Sequence, residues 1–253
     1  MVVWNPSIRK SVDIVIPDDD PPKPTTLFAF AVCPVSSDPT VVKVSYGKIN
    51  NVPSQSIRLD LSIHLSTGRV YYSSTHVAID MFIYWVAYDN SLPVDDHRFP
   101  TIHMLLSFDM ISNQFEEVVF PDSLANLLPV TVSKLRESLV VLEFNREIDE
   151  NAYGLWMMKH GNDGIRSFTK LYIINTHESI IVYVLGKRNS GQLIIETQND
   201  VNDLSSQLDV YEPSSQNISN FGICGRDESF FMAPYMETLL LLDHSDCCIY
   251  SSN

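Results

Sequence analysis

Apolar residues in this chain come in short runs rich in Val, Ile, Tyr and Phe, and turn-forming clusters separate them. The runs are Ile79–Ala87, Met104–Phe108, Ser138–Phe144, Leu171–Ile174, Ile180–Leu185, Gln192–Glu196 and Thr238–Leu242. Between them lie Asn5-Pro6-Ser7, Ser66-Thr67-Gly68, Ser112-Asn113, Gly161-Asn162-Asp163-Gly164, Asn189-Ser190-Gly191 and Glu212-Pro213-Ser214-Ser215. β-branched and aromatic side chains suit a pleated, half-buried surface. Gly, Asn, Asp, Ser and Pro supply the backbone conformations of tight turns. The pattern is that of an all-β chain built from hairpins. The 3.6-residue periodicity of a helix is scarce, and its best candidate is Pro121–Leu128. There Pro121 and Asp122 open one or two turns and Pro129 stops them.

A weak internal repeat adds to this. Trp4 to Val12, Phe108 to Glu116 and Tyr211 to Ser219 each read as an aromatic strand end, an acidic or amide residue, a polar turn and a second strand. Ser62–Arg69 and the stretch from Leu155 to Tyr172 are looser copies. Anchors at positions 4, 64, 108, 156 and 211 are spaced by 60, 44, 48 and 55 residues. Steps of about 40–50 residues, with about four strands each, suit the blades of a propeller. Radial repetition also protects strand edges from pairing with other chains. A propeller-like, kelch-like array of short antiparallel sheets, closed or incomplete, is therefore expected, with a β-sandwich as the alternative. The acidic, proline-rich run Asp18-Asp19-Asp20-Pro21-Pro22-Lys23-Pro24 cannot be a central strand, because proline lacks the N–H that a ladder needs. It reads as a loop between blades, as does 199–206, and no domain boundary divides residues 1–253.

Composition narrows the function classes. Of 253 residues, 45% are hydrophobic and 19% charged, which is enough to bury a sizeable core. Seventeen Lys and Arg against 31 Asp and Glu give a net charge of −14, which argues against nucleic acid as the partner. No apolar stretch is long enough for a transmembrane helix, and no secretory signal is visible at Met1, so neither a membrane nor export is expected. Four cysteines, Cys33, Cys224, Cys247 and Cys248, are too few for a disulfide scaffold. They read as reduced, mostly buried thiols of a cytoplasmic or nuclear protein.

No catalytic constellation stands out. There is no nucleophile elbow, no phosphate-binding loop and no His-Glu-x-x-His. The histidines His64, His76, His97, His103, His160, His177 and His244 are scattered without metal-ligand spacing. Asp18-Asp19-Asp20 lacks the alternate spacing of a calcium loop. No cofactor and no enzymatic activity are expected, although residues on distant loops of a β-rich chain can converge. Trp4, Trp85 and Trp156 sit in apolar strand contexts and read as core, with the indole N–H tied to a carbonyl. Polar connections on a rigid scaffold are the better recognition candidates. These are Asp18, Asp19 and Asp20 in one loop, Asp95, Asp96, His97 and Arg98 in the connection Asp89–Pro100, and the run 199–206. Their acidity favours a basic partner surface.

The same hairpins resemble the F-box-associated domain of plant F-box proteins, the group that includes the S-locus F-box proteins. Val3-Trp4-Asn5-Pro6-Ser7-Ile8-Arg9-Lys10 is similar to that family's first hairpin, and Phe82-Ile83-Tyr84-Trp85-Val86-Ala87 to one of its strands. Leu106-Ser107-Phe108-Asp109-Met110, with Phe115 and Pro121 behind it, resembles a third block. Leu139-Val140-Val141-Leu142, Leu155-Trp156-Met157-Met158-Lys159 and Thr169-Lys170-Leu171-Tyr172 resemble a fourth, and the stretch from Phe230 to Leu242 the closing strand. Five blocks occur in the family's order. The glycines and aspartates of a further strand pair are missing around Phe28–Val32 and Val41–Val44, and Phe168 stands where the family has Trp. The resemblance implies a domain that holds a target protein for an SCF-type ubiquitin ligase. A Skp1-type adaptor and a cullin would be partners only where an upstream F-box exists. These residues contain no F-box-like helical stretch, which implies a missing F-box and first blade. The alternatives are a stand-alone binding module or decoy, and a propeller-borne enzyme.

Overall fold

A computed structural model describes residues 2–5, 9–13, 25–35, 39–49, 52–56, 70–89, 102–125, 130–145, 151–161, 165–176, 179–200, 204–227 and 229–232. They form an all-β structure with almost no helix, arranged as five antiparallel sheets whose strands follow one another in chain order. Sheet I is a hairpin of β1 (Val2–Asn5) and β2 (Lys10–Asp13). Sheet II holds β3 (Thr25–Val32), β4 (Pro39–Ile49) and β5 (Val52–Ser56). Sheet III holds β6 (Val70–Ile79), β7 (Phe82–Asp89), β8 (Ile102–Asp109) and β9 (Gln114–Val119). Sheet IV holds β10 (Val130–Leu135), β11 (Ser138–Asn145), β12 (Asn151–His160) and β13 (Arg166–Thr176). Sheet V holds β14 (Ile180–Lys187), β15 (Leu193–Gln198), β16 (Ser205–Glu212) and β17 (Asn217–Arg226).

Local chemistry sets the turns. Asp109 folds the β8–β9 turn by accepting hydrogen bonds from the Ile111 N–H and the Ser112 hydroxyl, both at 2.8 Å, and Asn113 takes a positive φ of 55°. A short polar side chain lowers the cost of that left-handed conformation. The apolar run Ile79–Ala87 is not one strand. It is interrupted at Asp80, where φ is 52°, so that Ile79 ends β6 and Phe82 begins β7. One helical turn, α1 (Asp122–Ala125), stands inside the expected 121–128, of which 126–128 lie outside the described residues. The repeat anchors Phe108, Trp156 and Tyr211 fall on β8, β12 and β16, the third strands of three consecutive four-stranded sheets. The strand expected at Thr238–Leu242 lies outside the described residues.

Sheets II to V stack face to face around three apolar cores. Strand side chains alternate between faces, so one strand feeds two cores. In β7, Ile83, Trp85 and Ala87 join Ala29, Ala31, Val42 and Val44 of sheet II, while Tyr84 and Val86 join Val132, Leu139 and Val141 of sheet IV. In β11, Val140 and Leu142 point the other way, to Val184, Leu193 and Ile195 of sheet V. Residues 83–87 are each no more than 1% exposed, so both faces of this part of sheet III are buried. Each buried Leu, Ile or Phe is worth roughly 1.5–3 kcal/mol relative to exposure. Cys33 belongs to the core between sheets II and III. Cys224 is exposed on β17, at the outer edge of sheet V, while Cys247 and Cys248 lie outside the described residues.

Between sheets III and IV the core includes a charge. Glu143 is 1% exposed on β11 and accepts a hydrogen bond from the Trp156 indole N–H. The indole partner is thus a carboxylate rather than the expected carbonyl. Lys170 stands 3.4 Å from the other carboxylate oxygen and 4.7 Å from the centre of the indole ring. Leu171 is left over in the β12–β13 register, which turns Lys170 toward Trp156 and Tyr172 toward sheet V. Trp85 is core as expected, but its N–H has no hydrogen-bond partner among the described residues. Gly154 lies opposite Glu143 on β12. A Cβ there would sit 2.8 Å from a Glu143 carboxylate oxygen and 3.1 Å from the indole nitrogen. Gly154→Ala is therefore expected to lower stability by about 1–3 kcal/mol, measured by urea unfolding, because this buried arrangement has no room to move aside. An unchanged midpoint would contradict it.

Candidate functional site

The first strand of each stacked sheet, β3, β6, β10 or β14, is an edge strand, with a ladder partner on one side. These strands lie next to one another, β3 by β6, β6 by β10 and β10 by β14. Side chains join them where no backbone ladder does. The Phe30 N–H of β3 meets the His76 Nε2 of β6 at 3.4 Å, and the Thr131 hydroxyl of β10 donates to the Val182 carbonyl of β14 at 3.2 Å. Where their C-terminal halves converge, the four strands surround a cavity of about 610 Å³. Phe30, Val132 and Tyr183 give it apolar walls, and Thr75 and Ser133 add hydroxyls.

Residues 229–232 form a further wall. After β17 the chain turns through hydrogen bonds from the Asp227 N–H to the Leu204 carbonyl (2.9 Å) and from the Ser229 N–H to the Arg226 carbonyl (3.1 Å). It then crosses sheet V over two glycines. A Cβ on Gly225 would lie 2.8 Å from the Phe230 ring, and one on Gly186 would collide with the Met232 methyl. Phe230 and Met232 thereby reach the cavity alongside β14.

The charge of the cavity is opposite to that of the chain. His76, Lys134, Arg136 and Lys187 line it, and no carboxylate does among the described residues. Lys134 pairs with Glu137 at 3.2 Å. Lys187 bonds the Tyr172 hydroxyl at 3.3 Å, and Arg136 projects from the β10–β11 turn at a φ of 57°. Neither Arg136 nor Lys187 has a carboxylate partner among the described residues. Burial pushes the His76 pKa below its ordinary value, which keeps the ring neutral and able to accept from Phe30.

A second polar cluster closes the far side of the seam between sheets III and IV. The Tyr84 hydroxyl stands 3.3 Å from His160 Nε2, and His160 stacks on Phe82 with ring centres 6.1 Å apart. Arg166 pairs with Glu116 at 2.6 Å and covers the Phe82 ring at 5.3 Å. Burial raises the Tyr84 phenol to about 12, against the opposing pull of Arg166. Burial and then the neighbouring Arg166 charge lower His160, over the weaker raising influence of Asp80 and Glu116. A protonated phenol can then donate to a neutral imidazole, so this cluster fastens two sheets.

Asp18, Asp19, Asp20, Asp95, Asp96, His97 and Arg98 lie outside the described residues, as do the side chains of Trp4 and His103. The run 199–206 is only partly a loop. Asn199 and Asp200 are exposed, but Ser205 and Ser206 begin β16 and Ser206 is buried, accepting from the Gln198 amide at 3.3 Å. On the neighbouring strands, buried Asp209 of β16 accepts from the Thr197 hydroxyl of β15 at 2.7 Å. Sequence reasoning missed the cavity residues because they lie on four separate strands. The signal available was positional, since each of these strands opens a repeat unit. Among the described residues no group of three or more His, Cys, Asp or Glu could hold a metal ion, and no helix is long and apolar enough to cross a membrane.

Both lowered histidines couple stability to pH. The unfolded chain takes up protons near 6.5, whereas the folded chain resists until lower pH. Stability is therefore full above about pH 6.5 and falls as the pH drops through the window below it. The urea midpoint is expected to decrease between about pH 7.5 and about pH 5.5. The decrease should shrink in a His76→Gln, His160→Gln double variant. An equal decrease in both proteins would contradict this assignment.

No protein-family model matches the chain, and no curated protein and no solved structure is significantly similar to it.

Proposed function

We propose that this chain is a protein-binding domain of propeller-like build, acting as the target-recognition part of an F-box protein in an SCF-type ubiquitin ligase. The observation that carries the binding role is the cavity at the convergence of β3, β6, β10 and β14, with apolar walls and cationic side chains. Consecutive four-stranded meanders whose first strands lie side by side support the propeller-like reading. The five blocks resembling the F-box-associated domain support the ligase context. Several of those motif residues are core in this chain, including Tyr84, Trp85, Phe108, Leu155 and Trp156. The resemblance therefore concerns the scaffold, on which different targets can be read by different cavity and loop residues.

In this reading the domain does no covalent chemistry. It raises the local concentration of a bound target beside the ubiquitin-charged enzyme, an effect of proximity and orientation. Recruitment of a Skp1-type adaptor and a cullin belongs to an F-box outside these residues. The second reading, a stand-alone module or decoy, keeps target binding and drops recruitment. Immunopurification of the native protein from its own tissue separates the two. The expected result is a product well above 28.7 kDa, co-purifying with a Skp1-type adaptor and a target. A 28.7 kDa product with targets but no adaptor would overturn the ligase role.

A further inference from the structure

We propose that the cavity between the first strands takes an extended, acidic segment of the partner protein, with an apolar side chain seated among Phe30, Val132 and Tyr183. This deepens the protein-binding reading above and rests on it. Three properties of the cavity select that occupant.

The first is charge. Lys134 is offset by Glu137, which leaves Arg136 and Lys187 as cations without carboxylate partners among the described residues. In a chain of net charge −14 this is a local reversal of sign. Low-dielectric walls strengthen the attraction for an incoming carboxylate. Arg136 suits this task, since a guanidinium offers a planar fork to a carboxylate and stays charged at any working pH. His76 adds no charge at neutral pH, because burial holds it neutral.

The second is the backbone. The wall is built from strand edges, and each first strand pairs on one side only within its sheet. The cross-strand bonds Phe30 to His76 and Thr131 to Val182 occupy one N–H and one carbonyl of these edges. Edge N–H and C=O groups are matched by an extended peptide, whose own backbone offers the same groups. The third is volume. About 610 Å³ holds a few side chains rather than a folded element, and the aromatic and aliphatic walls reward burial of an apolar one.

The polarity differs from that expected of the loops. Asp18, Asp19, Asp20, Asp95 and Asp96 favour a basic surface, whereas the cavity favours an acidic segment.

A random dodecapeptide library displayed on phage tests the proposal on the purified chain. The expected result is enrichment of peptides with net negative charge and at least one aromatic or aliphatic residue. Their binding should drop at least about tenfold on an Arg136→Glu, Lys187→Gln variant. Arg136→Asn serves as a second variant. Asn tolerates the positive φ of this turn, so the fold is kept while the charge is lost, and binding should again weaken. Neutral or basic peptides, absence of enrichment, or peptides insensitive to both variants would overturn the proposal. A native protein that carries targets and adaptor while its cavity shows no acidic preference would sink this inference alone. Acidic peptides selected by a protein without adaptor would sink the ligase role alone.

Discussion

The structure depends on strands that are apolar on both faces. A sheet with one wet face can stand at the surface, but β7 and β11 have none to spare. Ile83 to Ala87 and Leu139 to Leu142 are buried residue by residue on alternating sides. Each of these strands must be covered twice, which forces sheets III and IV into the middle of a stack. Sheets II and V provide the outer covers. Two polar groups of this interior are held by partners: Glu143 lies between an indole N–H and Lys170, and Tyr84 meets His160, whereas the Trp85 N–H has no partner among the described residues. A partner offsets the cost of burying a polar group.

The cavity follows from the stacking. Each sheet is a meander, so its first strand is always an edge, and stacking in chain order brings the first strands together. They do not merge into one ladder. Side-chain bonds from His76 and Thr131 bridge them and leave room between. Gly186 and Gly225 let Phe230 and Met232 lie close to sheet V and complete the wall. The site is thus a property of the junction, and no single sheet contains it. That suits a recognition role, because lining residues such as Arg136 can vary without disturbing the cores, whereas Gly154 or Trp156 cannot.

Much of the local structure was legible in the sequence. Short β-branched runs gave strands, and Ser112-Asn113 and Asn189-Ser190-Gly191 gave turns. The anchors at Phe108, Trp156 and Tyr211 marked equivalent third strands. Local patterning reached its limit where both faces of a strand are apolar. The run Ile79–Ala87 then shows no polar mark except Asp80, and its turn was read through. Partner identity was illegible for a similar reason. Glu143 lies thirteen residues before Trp156, and only the β11–β12 register brings them together. The cavity was invisible because Phe30, His76, Arg136 and Lys187 meet through packing of separate sheets. Acidic loops drew attention instead, since charge runs are conspicuous in a sequence and convergent strand edges are not.

First strands of consecutive sheets lie side by side, and the most direct test of that arrangement is the contact between Thr131 of β10 and Val182 of β14, where hydroxyl and carbonyl are 3.2 Å apart. Cysteines would be placed at these two positions in a chain whose native Cys33, Cys224, Cys247 and Cys248 are replaced by alanine or serine. A short bifunctional thiol reagent would then be applied to the folded and the urea-unfolded protein. Rapid internal cross-linking of the folded chain is expected, lost on unfolding. No cross-link in the folded chain, with both thiols shown to react singly, would contradict it. The first strands would then be apart, and the cavity between them would not exist.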